Sequence, residues 1–138
     1  MNEPSLVPEL LVENLEASLD FWCDLCGFSI LYDRKEDGFA YLTLGNAHIM
    51  LEEKGIIRNW ITAELKIPYG RGMNLEITVD SFESIVARLN ERNWPLFMEP
   101  EEKWYRRGNG EIGVCQFLVQ DPNGYLLRFS EMLGERFK

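Results

Sequence analysis

The segment DPNGYLLRFSE, Asp121–Glu131, joins a tight-turn sequence to an apolar strand that contains one arginine. Side chains in a β-strand alternate between the two faces of a sheet. One face of this strand is apolar and is predicted to join the core: Tyr125, Leu127 and Phe129. The other face carries Leu126, Arg128 and Ser130. Because an unpaired guanidinium is costly to bury, this second face is predicted to meet solvent, a carboxylate or a ligand cavity.

A strand and a helix precede a run of β-rich segments in the first half of the chain. The helix is predicted over Leu15–Cys26, after an N-cap at Asn14 and before Gly27. Its apolar face consists of residues at helical spacing: Leu15, Leu19, Trp22 and Cys26. The sequence SLVPELLV before the helix predicts a strand, and FSILYDR, FAYLTLG and AHIMLEE after it predict three more. The first half is therefore predicted to have the order β-α-β-β-β.

The second half repeats this order. The sequence MNLEITV predicts a strand, and a helix is predicted after an Asp80 cap supported by Glu83. The apolar face of this helix is predicted to contain Phe82, Ile85, Val86 and Leu89. LFMEP, GVCQFLVQ and YLLRFSE then predict three strands. The sequence thus predicts an α+β fold of two tandem βαβββ modules, about 4–53 and 73–131, with a connector at about 54–72 and a C-terminal tail at 132–138.

The composition is typical of one folded domain. With 138 residues, 46% of them hydrophobic, the chain is long enough to bury a core. No apolar run approaches the roughly 20 residues of a membrane helix, and the sequence MNEPSLVPEL lacks the features of a signal peptide, so a cytoplasmic location is expected. The chain has 14 Lys and Arg against 23 Asp and Glu, a net charge of -9. This charge disfavours nucleic acid and anionic membranes and favours cationic or neutral partners.

Three cysteines do not indicate a disulfide framework. Cys23 and Cys26 have the spacing of a redox pair, but they lie at the C-terminal end of the predicted helix, whereas redox thiolates are favoured at a helix N-terminus. No second pair with this spacing follows, which disfavours a structural zinc site. Packing in the core is therefore the predicted role of both residues.

The paired βαβββ modules, the helix sequence ENLEASLDFWCDLCGF and the closing DPNGYLLRF strand together resemble the vicinal oxygen chelate superfamily. This superfamily includes glyoxalases, bleomycin resistance proteins and dioxygenases. The resemblance covers nearly the whole chain and implies that the modules form half-barrel cups that enclose a cavity. It also implies a homodimer, because members of the superfamily commonly close the open side of the cup with a partner chain.

Enzymes of this superfamily hold a divalent metal with His or Glu side chains from the first and last strands of each module. The matching positions in this chain are Val7, Glu52, Asn74 and Arg128. Valine cannot bind a metal, an amide oxygen is a poor substitute for imidazole, and a guanidinium repels a metal cation. His48 is the only histidine in the chain. Neither a catalytic metal nor another cofactor is therefore expected.

Strand alternation and the connector supply the candidate ligand-binding residues: His48, Met50, Glu52, Trp60, Asn74, Glu76, Trp104 and Arg128. Two readings of Arg128 stay open: it pairs with Glu52 or Glu76 as an internal strut, or it contacts a ligand. Trp60 in the connector and Trp104 in WYRRGNGEIG are predicted either to line the cavity or to be ordinary surface residues.

The sequences YLLRFSE and HIMLEE resemble those of the bleomycin resistance branch, whose members are metal-free binding proteins. This resemblance implies a small-molecule binding protein that sequesters a cationic or aromatic drug-like ligand, such as a bleomycin-type glycopeptide, in a cavity at a dimer interface. The alternatives are an enzyme with a non-standard active site and an interaction domain with an unused cavity. The fold alone cannot choose among these three functions, and no catalytic residue is assigned.

Overall fold

The computed structural model describes residues 4–137. The chain divides into two compact units. The first extends to Tyr69 and includes the distant turn Asp121–Gly124, and the second comprises Gly70–Gln120 and the chain from Tyr125 onward. Within residues 4–137, no helix has the length and apolar character needed to cross a membrane.

The first unit has the predicted order of elements. Its strands are β1 (Glu9–Val12), β2 (Ser29–Arg34), β3 (Phe39–Leu44) and β4 (Ala47–Glu53). Helix α1 (Leu15–Leu19) follows β1 and continues directly as a π-helical segment (Asp20–Leu25), and a short 3-10 turn (Lys35–Asp37) joins β2 to β3. The strands form one mixed sheet in the order β1-β4-β3-β2, in which β1 and β4 are parallel.

The second unit repeats the same topology. Its strands are β5 (Asn74–Thr78), β6 (Met98–Arg107), β7 (Gly110–Gln120) and β8 (Leu126–Phe137), and helix α2 (Glu83–Glu91) follows β5. The sheet order is β5-β8-β7-β6, with β5 and β8 parallel. The predicted α+β fold of two βαβββ modules is confirmed. Strand β8 is longer than expected, since it extends into the segment 132–137 that the sequence analysis assigned to a tail.

Three of the four residues predicted for the apolar face of the first helix, Leu15, Trp22 and Cys26, are buried, and the fourth differs. Leu19 is only half-buried, whereas Phe21 and Leu25 are buried. The reason is the π-helical turn, in which the amide of Cys26 donates to the carbonyl of Phe21 five residues earlier, at 3.0 Å. This wider turn rotates the later residues out of the 3.6-residue period on which the prediction rested.

The two cysteines of this helical segment differ in burial. Cys26 is fully buried, as predicted, but Cys23 is only half-buried. Burial, assisted by the charge of Asp24, raises the pKa of the Cys23 thiol to about 11. A thiol with so high a pKa is almost entirely protonated at neutral pH and is therefore a weak nucleophile.

Each helix begins at a carboxylate supplied by the last strand of its sheet. The amide of Leu15 donates to Glu53 at 2.8 Å, in addition to the predicted cap by Asn14, which accepts from Ala17 at 2.9 Å. In the second unit the amide of Phe82 donates to Glu131 at 2.7 Å. The prediction that Asp80 caps α2 is wrong, because the helix begins later, at Glu83.

The DPNG turn is built into the core of the first unit. The Trp22 indole donates to the Asp121 carboxylate at 3.2 Å, and the amide of Glu13 donates to the Asn123 side chain at 2.9 Å. The Asn123 side chain also donates to Ser18 at 3.3 Å. Asp121 and Asn123 are both buried, so the turn anchors the first helix as well as reversing the chain.

Candidate functional site

Each sheet has a helix face and a far face, which is the face directed away from its own helix. In the first sheet the far face is defined by two rows of side chains that strand pairing places next to one another. The first row is Glu9, Met50, Tyr41 and Tyr32. The second row is Leu11, Glu52, Phe39 and Arg34. The far face of the first sheet therefore gathers aromatic rings on β2 and β3 beside carboxyl groups on β1 and β4.

The aromatic rings of this far face contact one another. Tyr32 and Tyr41 are stacked, with ring centroids 5.2 Å apart and an interplanar angle of 18°, and Phe39 lies 6.0 Å from Tyr32. The Tyr41 hydroxyl forms a 2.8 Å hydrogen bond with Nδ1 of His48. Phe39 and Tyr41 are buried, whereas Tyr32 is 43% exposed and offers accessible aromatic surface.

Glu52 is a buried carboxyl group that has no cationic partner in the described part of the chain. It is only 8% exposed. The Asn59 side chain donates to its Oε2 at 2.6 Å and is itself fixed by accepting a 2.8 Å hydrogen bond from the amide of Gly55. Among residues 4–137, Asn59 is the only hydrogen-bond partner of Glu52 and no ion pair involves this carboxyl group. Because buried carboxylates are normally paired, Glu52 is suited to receive a cation from outside the chain.

Glu9 on β1 adds a second carboxyl group to the same face. Partial burial raises the pKa of Glu9 above its ordinary value of 4.5, the Glu52 carboxyl raises it further, and Arg34 partly offsets both effects. The two carboxyl groups are thus close enough to interact electrostatically. A bound cation would relieve their mutual repulsion.

The far face of the second sheet is a hydrogen-bonded polar ladder. Nε of Arg128 donates to Oδ1 of Asn74 at 3.1 Å, and Nη1 of Arg128 lies 3.8 Å from Oε2 of Glu76. The Ser130 hydroxyl donates to the same Glu76 oxygen at 3.1 Å. The side chains of Arg128 and Glu76 are 30% and 44% exposed, so this is a solvent-screened pair and not a buried strut.

Gln116 lies opposite Ser130 on this second far face and is 3% exposed. Its Nε2 donates to the Tyr105 hydroxyl at 2.7 Å. Its Oε1 is buried and has no hydrogen-bond partner among residues 4–137. Sequence analysis did not identify Gln116, since one glutamine in a strand gives no signal before the pairing of β7 with β8 is known.

The residues at the superfamily's metal positions do not fit a divalent metal. Val7 has no donor atom, and the Asn74 oxygen accepts from the adjacent Arg128 guanidinium. Glu52 is held by the Asn59 amide. Within the described part of the chain, His, Cys, Asp and Glu side chains form no cluster of three that could hold a metal ion. We therefore assign no metal-binding role to these residues.

The two tryptophan candidates do not join the far faces. Trp60 is 77% exposed in the connector, with the Arg58 guanidinium 6.0 Å from its ring. Trp104 pairs with Gly113, on the opposite face of the second sheet from Arg128, and its ring covers the space that a Cβ at Gly113 would occupy. Trp104 is held there by the guanidinium of Arg136, 4.0 Å above the ring. Its position in the sheet explains Trp104 without a ligand.

The other candidates divide between the two units: His48, Met50 and Glu52 lie in the first, and Asn74, Glu76 and Arg128 in the second. Sequence reasoning missed the aromatic residues of the first far face, namely Tyr32, Phe39 and Tyr41. Alternation along β3 groups Phe39 with Tyr41, but only the register of β3 against β4 places them beside Glu52.

Comparisons with known proteins agree with this architecture. A family model described as the Glyoxalase/Bleomycin resistance protein/Dioxygenase superfamily matches residues 6–129. TioX from Micromonospora sp. ML1 is 19% identical, with a TM-score of 0.71 over 93% of this chain and 98% of that one. A virulence protein from Salmonella typhimurium is 17% identical, with a TM-score of 0.64 over 95% of this chain and 98% of that one.

A third solved structure is a glyoxalase/bleomycin resistance protein/dioxygenase superfamily member from Vibrio splendidus 12B01. It is 31% identical, with a TM-score of 0.40, and the match covers 91% of this chain and 95% of that one. A search of curated protein sequences gives no significant match. Since the family model matches most of its length, the chain belongs to the glyoxalase/bleomycin resistance protein/dioxygenase superfamily.

Proposed function

We propose that this chain is a small-molecule binding protein and that the far face of its first sheet holds a planar, cationic group of the ligand. The observation that carries the proposal is the Glu52 carboxyl, which is 8% exposed and has only the Asn59 amide as a partner among residues 4–137. A buried carboxylate without a cation costs stability. A binding protein can recover that cost when a cationic ligand arrives.

The neighbours of Glu52 favour a flat cation over a compact one. Phe39 is directly opposite Glu52 on the adjacent strand, and Tyr41, opposite Met50, is stacked against Tyr32, whose side chain is 43% exposed. An aromatic ring attracts a cation placed over its face, and a planar group adds stacking area. The net charge of -9 supplies long-range attraction for the same class of ligand.

Binding without chemical change is part of the proposal. Among residues 4–137, His, Cys, Asp and Glu side chains form no cluster that fits a metal ion. The hydroxyls of Tyr41 and Ser130 are each hydrogen-bonded within their own sheet, to His48 and to Glu76. A drug-like cation such as a bleomycin-type glycopeptide is therefore a candidate ligand, to be sequestered intact. Conversion of that ligand by the protein would favour the enzyme alternative instead.

A homodimer is also proposed. The connector exposes five large apolar side chains, each at least 41% exposed: Ile56, Ile57, Trp60, Ile61 and Ile67. Exposed apolar clusters of this kind are typical of contact surfaces. Sedimentation at micromolar concentration is expected to give a species of twice the 16.1 kDa chain mass, and a purely monomeric species would remove the dimer from the proposal.

The experiment that tests the binding proposal is calorimetric titration with benzamidine, a flat aromatic amidinium. Benzamide, its neutral counterpart, and benzoate, its anionic counterpart, serve as ligand controls. We expect measurable binding of benzamidine that weakens with added salt, and affinity at least about tenfold lower for both controls.

The matched protein variants are Glu52→Gln and Glu76→Gln. The first keeps a group that can accept from Asn59 but removes the charge, and it is expected to weaken benzamidine binding about tenfold, or about 1.4 kcal/mol. The second removes a carboxylate from the far face of the other sheet and is expected to leave binding unchanged. Equal affinity for benzamidine and benzoate, or equal effects of the two variants, would contradict the proposal.

A further inference from the structure

The aromatic rings of the first far face already have a cation of this chain beside them. The guanidinium carbon of Arg34 lies 4.1 Å from the Phe39 ring centroid and 5.9 Å from that of Tyr32. Arg34 is the direct partner of Phe39 in the pairing of β2 with β3. The guanidinium therefore lies against the aromatic rings of this far face.

Arg34 is weakly held in this position. Its only ion pair among residues 4–137 is with Asp37, at 3.5 Å, and the two side chains are 49% and 38% exposed. An exposed ion pair of this kind contributes little free energy. The β2 strand that carries Arg34 is at the edge of the sheet. Rotation of the side chain into solvent therefore breaks one exposed ion pair and the contacts with the aromatic rings.

Charges of opposite sign flank the rings. Phe39 has Arg34 on one neighbouring strand and Glu52 on the other, and Tyr41 has Met50 as its neighbour, which in turn pairs with Glu9. Arg34 also acts on Glu9 electrostatically, since it opposes the rise in the Glu9 pKa caused first by burial and then by Glu52. Arg34 thus acts on both the rings and a carboxyl group of this face.

We propose that Arg34 occupies the subsite of the ligand's planar cation, so that it competes with the ligand and selects amidinium or guanidinium groups. This inference rests on the proposed function, and it names the class of ligand and the residue that sets its affinity. A guanidinium is flat and weakly hydrated and stacks on aromatic rings, whereas an ammonium is compact and strongly hydrated. A surface that accommodates Arg34 is therefore matched to a flat cation of the same kind.

The test is calorimetric titration of benzamidine against the wild-type protein, Arg34→Met, Arg34→Lys and Arg58→Met. Arg34→Met removes the competing group and is expected to tighten binding about two- to fivefold, the size of an exposed cation–π contact. Arg34→Lys keeps the charge but stacks less well, so it is expected to give part of the same gain. Arg58→Met removes a charge that lies near Trp60, outside the far face, and is expected to leave the affinity unchanged.

The second measurement compares the affinities of two cationic probes, benzylamine and benzamidine. Benzylamine carries a compact ammonium on the same ring, and the wild-type protein is expected to bind it more weakly than benzamidine. Equal affinities for the two probes would overturn the assignment of ligand class.

The outcomes separate the two proposals. Benzamidine binding that is unchanged or weaker in Arg34→Met overturns the competition by Arg34 and leaves the proposed function standing. A gain in Arg34→Met that is absent in Arg34→Lys shows long-range charge repulsion and also overturns the competition. Absence of benzamidine binding by the wild-type protein and by every variant overturns both proposals.

Discussion

The far faces of the two sheets differ, although the sheets have the same strand order. In the first unit, buried rings adjoin a carboxyl group, Glu52, that lacks a cation among residues 4–137. In the second, Arg128 and Ser130 hydrogen-bond to Asn74 and Glu76, so the charged groups of this face are paired within the sheet. The first far face is suited to an external cation, whereas the second has its charge balanced internally.

The helix faces, in contrast, are alike in construction. Glu53 and Glu131 each extend from the last strand of a sheet to accept a hydrogen bond at the start of a helix. Both faces bury large apolar side chains, such as Trp22 in the first unit and Phe117 in the second. The repeated topology therefore constrains the helix face, which forms the core, and leaves the far face free to differ between the units.

Removal of a large core side chain is expected to have the largest effect, and a similar one in each unit. Trp22 and Phe117 are fully buried, and Trp22→Ala or Phe117→Ala is expected to lower the free energy of unfolding by about 3–5 kcal/mol through lost burial and a cavity. Urea unfolding followed by circular dichroism measures this. A loss below about 1 kcal/mol for either variant would show that the two helix faces are not equivalent cores.

The shared capping device is expected to have a smaller effect. Glu131→Ala removes the acceptor for the Phe82 amide and is expected to cost about 0.5–2 kcal/mol. Asp80→Ala is the matched control and is expected to be nearly neutral, since α2 has its N-cap at Phe82. A larger loss of unfolding free energy for Asp80→Ala than for Glu131→Ala would show that Asp80 caps α2, as the sequence suggested.

The sequence was sufficient for the order of elements because that order depends on local patterns. Alternation in YLLRFSE predicted which side of β8 is buried, and Leu127 and Phe129 are fully buried. Asn14 was identified as a cap because its acceptor group is only three residues from the donor, Ala17. Glu131 could not be identified in this way, since it reaches Phe82 across a sequence separation of 49 residues.

The site was predicted less completely, because a face of a sheet is assembled from several strands. Glu52 was identified from its position in the resemblance to the superfamily. Its neighbours Phe39 and Arg34 depend on the registers of β3 against β4 and β2, which the sequence does not specify. The position of Trp104 also depends on register, because its partner Gly113 puts it on the helix face.

The second far face is expected to tolerate loss of its cation. Because the Arg128–Glu76 contact is 3.8 Å long and partly exposed, Arg128→Leu is expected to change the free energy of unfolding by about 1 kcal/mol or less. Urea unfolding beside the wild-type protein checks this. A loss of about 3–5 kcal/mol, as expected of a buried pair, would show that Arg128 is a strut after all.

The smallest expected effect is a difference in pH dependence between two glutamates of the first unit. Hydrogen bonding from Tyr69 and, after it, Lys54 lowers the pKa of Glu13 below its ordinary value of 4.5, despite an opposing effect of burial. The contribution of Glu13 to stability is therefore present above pH 4.5 and is lost as the pH falls through the lowered pKa.

Glu9 has the opposite sign. The pKa of Glu9 is raised by burial and by Glu52. Its contribution therefore favours folding below pH 4.5 and is lost as the pH rises through the raised pKa. In unfolding titrations from acid to neutral pH, Glu13→Gln is expected to reduce the acid-induced loss of stability. Glu9→Gln is expected to stabilise the protein slightly at neutral pH. If Glu13→Gln and Glu9→Gln change the free energy of unfolding at neutral pH in the same direction, this assignment is contradicted.

The contrast between the two far faces is tested most directly by two-dimensional NMR of the 15N-labelled protein during titration with benzamidine. Saturable shift changes are expected for amides of β2, β3 and β4 around Arg34, Phe39 and Glu52. Amides of β5 and β8 around Glu76 and Arg128 are expected to be unaffected. Saturable changes centred on β5 and β8, with β3 and β4 unperturbed, would contradict the assignment of the cation site to the first sheet.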